Sequence, residues 1–274
     1  RFRVALRKSD EWAVSDPVSI GPGSNYRVTQ HFDVAVGEDG HVHLVFRDRL
    51  TGGLQHLYRT ASGWTLQTID DGEARRGSSG CQSDQADPTR SGVGYEPDVE
   101  FGAQTLYVSY YDARCGNLRL AHRTDNGWVV RVVDTGDFSI GAQSVRQPGD
   151  VGRFSSLVVN PSGDVAVAYH DQRRGRLLYA TESDDEFDVQ LVDPGVQLDS
   201  FSQKRKQIVG AFADLAFRRV ENRNIPYIAY LNGSENRLRL AYRIQTSNQG
   251  GRWIHRTLEP DPPTGFFARV EVTA

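Results

Sequence analysis

A four-segment pattern recurs four times along this chain, and no other feature constrains the fold as much. At 33–36, 41–46, 54–59 and 64–70 the segments read DVAV, HVHLVF, LQHLYR and WTLQTID. The second copy reads DVEF, TLYVSYY, LRLAHR and WVVRVVD at 98–101, 105–111, 118–123 and 128–134. The third reads SLVV, DVAVAYH, RLLYAT and FDVQLVD between 156 and 193, and the fourth DLAF, IPYIAY, LRLAYR and WIHRTLE between 214 and 259. Each segment is short, rich in Val, Tyr and Leu, and bounded by Gly, Asn, Asp or Pro, which is the signature of strands. The copies begin at Asp33, Asp98, Ser156 and Asp214, 58 to 65 residues apart. Four strands at that period make a propeller blade with long connections. A sandwich would not repeat its aromatic punctuation so regularly, and no stretch sustains helical spacing.

The chain ends extend the same alignment. Residues 1–15 align with 117–131, and 264–272 with 209–217. The expectation is one all-β domain, a five-bladed β-propeller whose last blade is closed by N- and C-terminal strands. Its blades are 33–70, 98–134, 156–193 and 214–259, with a split blade of 269–274 plus 1–18. Closing the ring removes sheet edges that would otherwise invite aggregation. No segment aligns with the second strand of the split blade, and unpaired backbone groups there would be costly. Three outcomes are open: a strand from an upstream segment of the parent polypeptide, a strand added by a partner protein through β-augmentation, or a three-stranded blade.

Composition narrows the function classes. Of 274 residues, 38% are hydrophobic and the net charge is −3 with both signs interspersed. That builds a core, leaves no basic footprint for nucleic acid, and contains no apolar run of about 20 residues that would span a membrane. The two cysteines, Cys81 and Cys115, sit in a Gly/Ser/Asp-rich loop and at a hairpin tip. A disulfide between them is expected, and with it a secreted, periplasmic or cell-surface location. Two cysteines cannot form a four-ligand structural zinc site, and no metal or other cofactor is expected.

Several residues recur at fixed places in the repeat. Trp12, Trp64, Trp128 and Trp253, with Phe187, open the outer strand; a glycan platform is one reading, but once-per-blade recurrence favours largely buried inter-blade packing. Asp48, Asp112, Asp171 and Asn232, followed by Gly52, Gly116 and Gly175, read as turn residues. The runs VTQHFD, VGYEPD, VGRFSS, VGAFAD and TGFFAR precede each first strand. They place Asp33, Asp98, Ser156, Asp214 and Arg269 around the mouth of a central channel. His31, Glu96, Phe154, Phe212 and Phe267 stand two residues earlier. Short polar side chains there cap strands and line a wet channel. Alternatively, three converging carboxylates hold Ca²⁺ or perform acid–base chemistry; Arg269, entering the same ring, argues against a cation.

The connections reaching this face, 20–32, 71–97, 135–155, 194–213 and 260–268, are long, as functional loops on a rigid scaffold are. They carry Arg27, Arg90, Arg146, Arg153, Lys204, Arg205 and Lys206. The expected ligand-binding residues are therefore His31, Asp33, Glu96, Asp98, Arg153, Asp214 and Arg269.

The G-x-aromatic-x-Ser/Asp lead-in, the Tyr-x-Asp turn and the Trp of the outer strand resemble repeats of secreted bacterial β-propeller proteins. These are loosely grouped with sialidase-like propellers, and the resemblance spans essentially the whole chain. The sialidase Asp-box is absent as such; RTDNGW at 123–128 lies at a different strand junction. By architecture, arabinanase-type glycosidases and tachylectin-type lectins are also similar. The former place three carboxylates around the channel, a role the resemblance would give to Asp33, Asp98 and Asp214. The first reading is thus an interaction module that binds a glycan or protein ligand through the long-loop face. The alternative is a glycosidase-like hydrolase using the channel carboxylates, spaced about 5–5.5 Å apart for retention or 6.5–9.5 Å for inversion.

Overall fold

The Val-, Tyr- and Leu-rich segments form strands where the repeat places them. The structure is a computed structural model and describes residues 5–8, 11–14, 28–37, 40–60, 62–72, 92–102, 104–140, 145–147, 149–160, 163–184, 186–198, 203–221, 223–245, 251–258 and 266–272. Its strands are β1 (Ala5–Lys8), β2 (Glu11–Val14), β3 (Val28–Val36), β4 (Val42–Asp48), β5 (Leu54–Thr60), β6 (Gly63–Asp70), β7 (Tyr95–Gly102) and β8 (Thr105–Asp112). There follow β9 (Asn117–Thr124), β10 (Gly127–Asp134), β11 (Phe138–Ile140), β12 (Val145–Gln147), β13 (Val151–Val159), β14 (Val165–Asp171) and β15 (Arg176–Ser183). The last are β16 (Glu186–Asp193), β17 (Val196–Leu198), β18 (Lys204–Lys206), β19 (Val209–Val220), β20 (Arg223–Asn232), β21 (Arg237–Gln245) and β22 (Gly251–Thr257).

Four antiparallel four-stranded meanders result: β3–β6, β7–β10, β13–β16 and β19–β22, called blades 1 to 4 below. Successive first strands pack against one another, β3 on β7, β7 on β13 and β13 on β19. Apolar cores lie between neighbouring sheets, such as Leu120, Val133, Leu157 and Val167 between blades 2 and 3. This is an all-β propeller. Pairs β1–β2, β11–β12 and β17–β18 form separate two-stranded sheets. No helix among the described residues is long and apolar enough to cross a membrane.

Two rows of polar side chains pin blade to blade. The fourth strand of blades 1, 2 and 3 ends in an aspartate that accepts a hydrogen bond from a buried tyrosine of the next blade. The pairs are Tyr110 to Asp70 (2.5 Å), Tyr169 to Asp134 (2.7 Å) and Tyr230 to Asp193 (2.7 Å). The second carboxylate oxygen holds the amide of Gly72, Gly136 or Gly195. Such buried, charge-assisted bonds are worth about 1.5–3 kcal/mol each. The second row lies in the channel and is described below.

The outer-strand aromatics occupy one register position: Trp12 faces Arg7, Trp64 Arg59, Trp128 Arg123, Phe187 Glu182 and Trp253 Arg243. Trp128 meets His56 of blade 1 edge-on at 5.2–5.3 Å, as Trp253 meets Tyr179 of blade 3, so the position serves inter-blade packing. Burial is less complete than expected. Trp64, Trp128, Phe187 and Trp253 are half-buried, and Trp12 is 66% exposed, because β1–β2 pairs with no other strand among the described residues. The turn aspartates behave as read: Asp48 accepts the amides of Leu50 and Thr51, and Asp112 those of Arg114 and Cys115.

Other expectations need correction. First strands begin at Val28, Tyr95, Val151 and Val209 rather than at the channel residue, because each ladder resumes beyond a bulge. The connections 135–155 and 194–213 are not plain loops; each folds back as a hairpin, β11–β12 and β17–β18. Lys204, Arg205 and Lys206 lie exposed on β18. Cys115 is buried rather than exposed at its turn, and its expected partner Cys81 lies outside the described residues, as do Arg27 and Arg90. Of the split blade, residues 1–4, 9, 10, 15–18, 273 and 274 lie outside them too, and 269–272 belong to no ladder strand.

Candidate binding site at the channel mouth

The lead-ins to β7, β13 and β19 share one backbone design, which β3 lacks. Glycine comes first: Gly152 (φ 104°) and Gly210 (φ 92°) take conformations that L side chains rarely adopt. A Cβ on either would fall within 3 Å of the third strand of the preceding blade, at Leu118 and Leu177. Two residues later Glu96, Phe154, Phe212 and Phe267 each adopt φ of 50–53°. A non-glycine residue in this region is strained. In β7, β13 and β19 this strain marks the bulge that interrupts the ladder and redirects the side chain. Glu96, Phe154, Phe212 and Phe267 therefore converge above the channel.

Below them the ring residues act as staples. The amide of Val99 donates to Asp33 Oδ2 (2.9 Å), Leu157 to Asp98 Oδ2 (2.6 Å), Leu215 to Ser156 Oγ (3.0 Å) and Val270 to Asp214 Oδ2 (2.5 Å). In each case the acceptor belongs to one blade, and the donor follows the ring residue of the next. The bond to Val270 sets the C-terminal segment against blade 4 as each first strand sits against its neighbour. Arg269 Nη1 lies 3.5 Å from Asp214 Oδ1. The strand-capping reading of Asp33, Asp98 and Asp214 is thus met, and all three carboxylates serve architecture.

These carboxylates also crowd one another. Burial, and then the adjacent Asp33, hold the Asp98 carboxyl well above the usual range, against the pull of the Leu157 amide. Burial likewise raises Asp214, with the Val270 amide and Arg269 opposing. Glu100 lies two residues beyond Asp98 on the same face of β7. Burial first, then Asp33 and Asp214, push it up to about 7, with Arg269 opposing. Among the described residues no group of three or more His, Cys, Asp or Glu is placed to hold a metal ion.

The remaining expected residues form the rim. Glu96 accepts Arg153 Nη2 and the Phe154 amide, both at 2.6 Å. Arg153 also reaches Gln172 and lies over the Phe154 ring at 5.2 Å. His31 packs edge-on against Tyr95 at 5.0 Å, and Arg47 lies over the other side of this cluster, 4.1 Å from the Tyr95 centroid. Burial, with Arg47 and Arg153 adding, lowers the His31 pKa against Glu96. On the other side the rim is aromatic: Phe154 to Phe212 is 4.6 Å and Phe212 to Phe267 is 4.8 Å between centroids. Phe267 is 81% exposed and Phe266 is 51% exposed. Beneath them opens a cavity of about 270 Å³ lined by Asp98, Ser156, Asp214 and Arg269 together with Phe154, Phe212 and Phe267.

Comparison with known proteins names no family. No family model and no curated protein matches the chain. Among solved structures, it is similar to a fucose-specific lectin from Aleuria aurantia, with 13% identity over 84% of this chain and a TM-score of 0.44. It spans 64% of that lectin, under two thirds of its length. A GH43 β-1,3-galactosidase with galactodeoxynojirimycin is similar at 12% identity, covering 86% of this chain and 80% of the other, TM-score 0.43. An exo-β-1,3-galactanase from Clostridium thermocellum gives 12%, 86% and 51%, TM-score 0.41. Likenesses of this level say nothing of ligand or activity.

Sequence reasoning missed Glu100 and Tyr95. Strand parity was the available signal for the first, since Asp98 and Glu100 are two apart and share a face. No comparable signal marked Tyr95, whose role follows from the bulge that turns its neighbour Glu96.

Proposed function

We propose that the chain is a five-bladed propeller that binds a glycan at the channel mouth. The observation that carries this reading is the Phe154–Phe212–Phe267 rim. Three rings in a strained conformation, one of them 81% exposed, stand over a cavity floored by carboxylates and an arginine. Strain and exposure of this kind do not serve stability, and they persist where a ligand uses them. Apolar ring faces beside a few fixed polar groups suit a pyranose, which offers both C–H faces and hydroxyls. The test is a glycan screen followed by calorimetry on Phe267→Ala. The variant should keep its melting temperature and lose at least about tenfold in affinity, one interface ring contact. Unchanged affinity, or a screen in which no glycan but a protein ligand binds, would overturn it.

One observation favours hydrolysis as a second reading: Glu100, held near 7 beside Asp33, has the proton affinity of a general acid. A chromogenic glycosidase panel with Glu100→Gln as control decides it. Supporting an extracytoplasmic setting, we further propose a Cys81–Cys115 disulfide. The proposed fifth blade takes the segment latched by Asp214 as its first strand and β1–β2 as its third and fourth, which leaves the second strand to a donor. Mass spectrometry of purified material would show the donor as extra residues or a second chain.

A further inference from the structure

On the opposite face, between blades 3 and 4, lies a larger cavity of about 470 Å³. The repeat provides its own control for this site. Ladder registers make four residue pairs equivalent: His43 opposite Tyr58, Tyr107 opposite His122, Ala166 opposite Thr181, and Tyr227 opposite Tyr242, whose rings stack at 5.5 Å. In blade 1 the His43 and Tyr58 rings stack at 5.9 Å. Arg123 of blade 2 closes over them, 4.6 Å from the Tyr58 centroid, with Nη2 3.3 Å from the phenol oxygen. In blade 2 the Tyr107 and His122 rings lie 5.9 Å apart. In blade 3 both rings are missing, and Ala166 and Thr181 line the cavity instead.

The arginine has stayed. Arg243 faces Trp253 across the ladder as Arg123 faces Trp128. It has no ring to lie over, and among the described residues its guanidinium makes no hydrogen bond or ion pair, with Nε buried. Tyr179, which takes the place of His56, is 3% exposed and packs edge-on against Trp253. Its hydroxyl has no hydrogen-bond partner among the described residues. Burial raises the phenol's pKa, so the group is a hydrogen-bond donor throughout the physiological range. Phe217, Ile225 and Pro226 supply an apolar wall. Among the described residues the Tyr179 phenol and the Arg243 guanidinium thus share, without protein acceptors, the lining of a cavity within the size range of ligand sites.

We infer that the cavity between blades 3 and 4 binds a six-membered ring carrying a carboxylate, the ring occupying the space of the missing His/Tyr pair and the carboxylate meeting Arg243 and Tyr179. A guanidinium and a phenol donate and neither suits a cationic ligand, while Glu182 and Asp164 of the same lining are engaged by Arg131 and Asn160. A planar carboxylate can take two bonds from the arginine fork. The ring answers the geometry that blade 1 fills with Tyr58. The site is separate from the channel mouth and does not depend on the reading given to that face.

Sugar acids and aromatic acids share this chemistry, and the probes distinguish them. Calorimetry on the full chain would use D-glucuronate and 4-hydroxybenzoate, with D-glucose and acetate as the neutral and ringless controls. Trp253 fluorescence provides a second readout through its contact with Tyr179. At least one ring carboxylate should bind, with Kd of about 10 μM–1 mM, and at least about tenfold more tightly than both controls. Tyr179→Phe, which keeps the ring packing, and Arg243→Gln should each weaken binding about tenfold, the worth of one charge-assisted bond. Thr181→Tyr puts back the Tyr58 equivalent under Arg243; it should abolish binding and raise the melting temperature by about 2–4 °C. The inference fails if neither ring carboxylate binds at about 10 mM, if glucose or acetate binds as well, or if Tyr179→Phe and Thr181→Tyr leave affinity unchanged.

Discussion

Replacing Glu100 with glutamine separates the electrostatics of the channel from its packing. Glu100 is held near 7 in the fold against a usual 4.5, with burial and then Asp33 and Asp214 as the causes. Between those limits the folded chain binds a proton that the unfolded chain has released. The stability of the native protein therefore falls as pH rises from 4.5 through 7, and levels off above. At full strength a separation of that size is worth about 3 kcal/mol. Glu100 is partly accessible, and solvent screening reduces the expected effect to about 2 kcal/mol. Glutamine keeps the shape and carries no charge at any pH. Urea unfolding of both proteins across the pH range should give equal stabilities near the acid limit. By pH ~8 the variant should lead by about 2 kcal/mol, or about 4–8 °C in melting temperature. Other titrating groups are common to both proteins and largely cancel in the difference. A variant less stable than the parent at alkaline pH, or a gap that does not change with pH, would refute the placement of Glu100 among the carboxylates.

Tyr169→Phe removes the hydroxyl bonded to Asp134 and should cost about 1.5–3 kcal/mol in urea unfolding. Asp134→Asn in the same background should then add little, whereas full additivity would mean that the bond is not formed. His56, buried against His43, is kept neutral down to about 3. The stability that its neutral form supports is complete above about 6.5 and is lost as pH falls towards 3, so His56→Leu should flatten that part of the acid-unfolding profile. Thiol titration of the denatured, unreduced protein should detect no free cysteine; two thiols would end the proposed Cys81–Cys115 bond and with it the argument for an oxidising compartment.

The blades were legible in the sequence because each strand carries its own alternation and punctuation, and because four copies cross-check one another. The inter-blade staples were half legible. Aspartates at the ends of WTLQTID, WVVRVVD and FDVQLVD and tyrosines near the ends of second strands are visible in the alignment. Their pairing needs the stacking of one sheet on the next, which no single segment encodes. The bulge was not legible at all: Phe154 and Phe212 read as apolar residues leading into a strand, and only the backbone shows both at φ 52°. Nor did the long connections reveal β11–β12 and β17–β18, whose three-residue strands are too short to display a period.

Where a repeat is this regular, departures from it carry the information. Asp33, Asp98, Ser156 and Asp214 look like a catalytic ring when read one by one, yet all perform the same task on successive backbone amides. A serine can stand among three aspartates because the task needs only an acceptor. The groups the scaffold does not consume are different in kind. Phe267 is exposed where Glu96, its counterpart in blade 2, is bonded to Arg153, and Arg243 has no partner among the described residues where its counterpart Arg123 covers a tyrosine. Each departure leaves a side chain whose chemistry the fold has already shown it can satisfy internally. That surplus, at the channel mouth on one face and between blades 3 and 4 on the other, is what a ligand would complete.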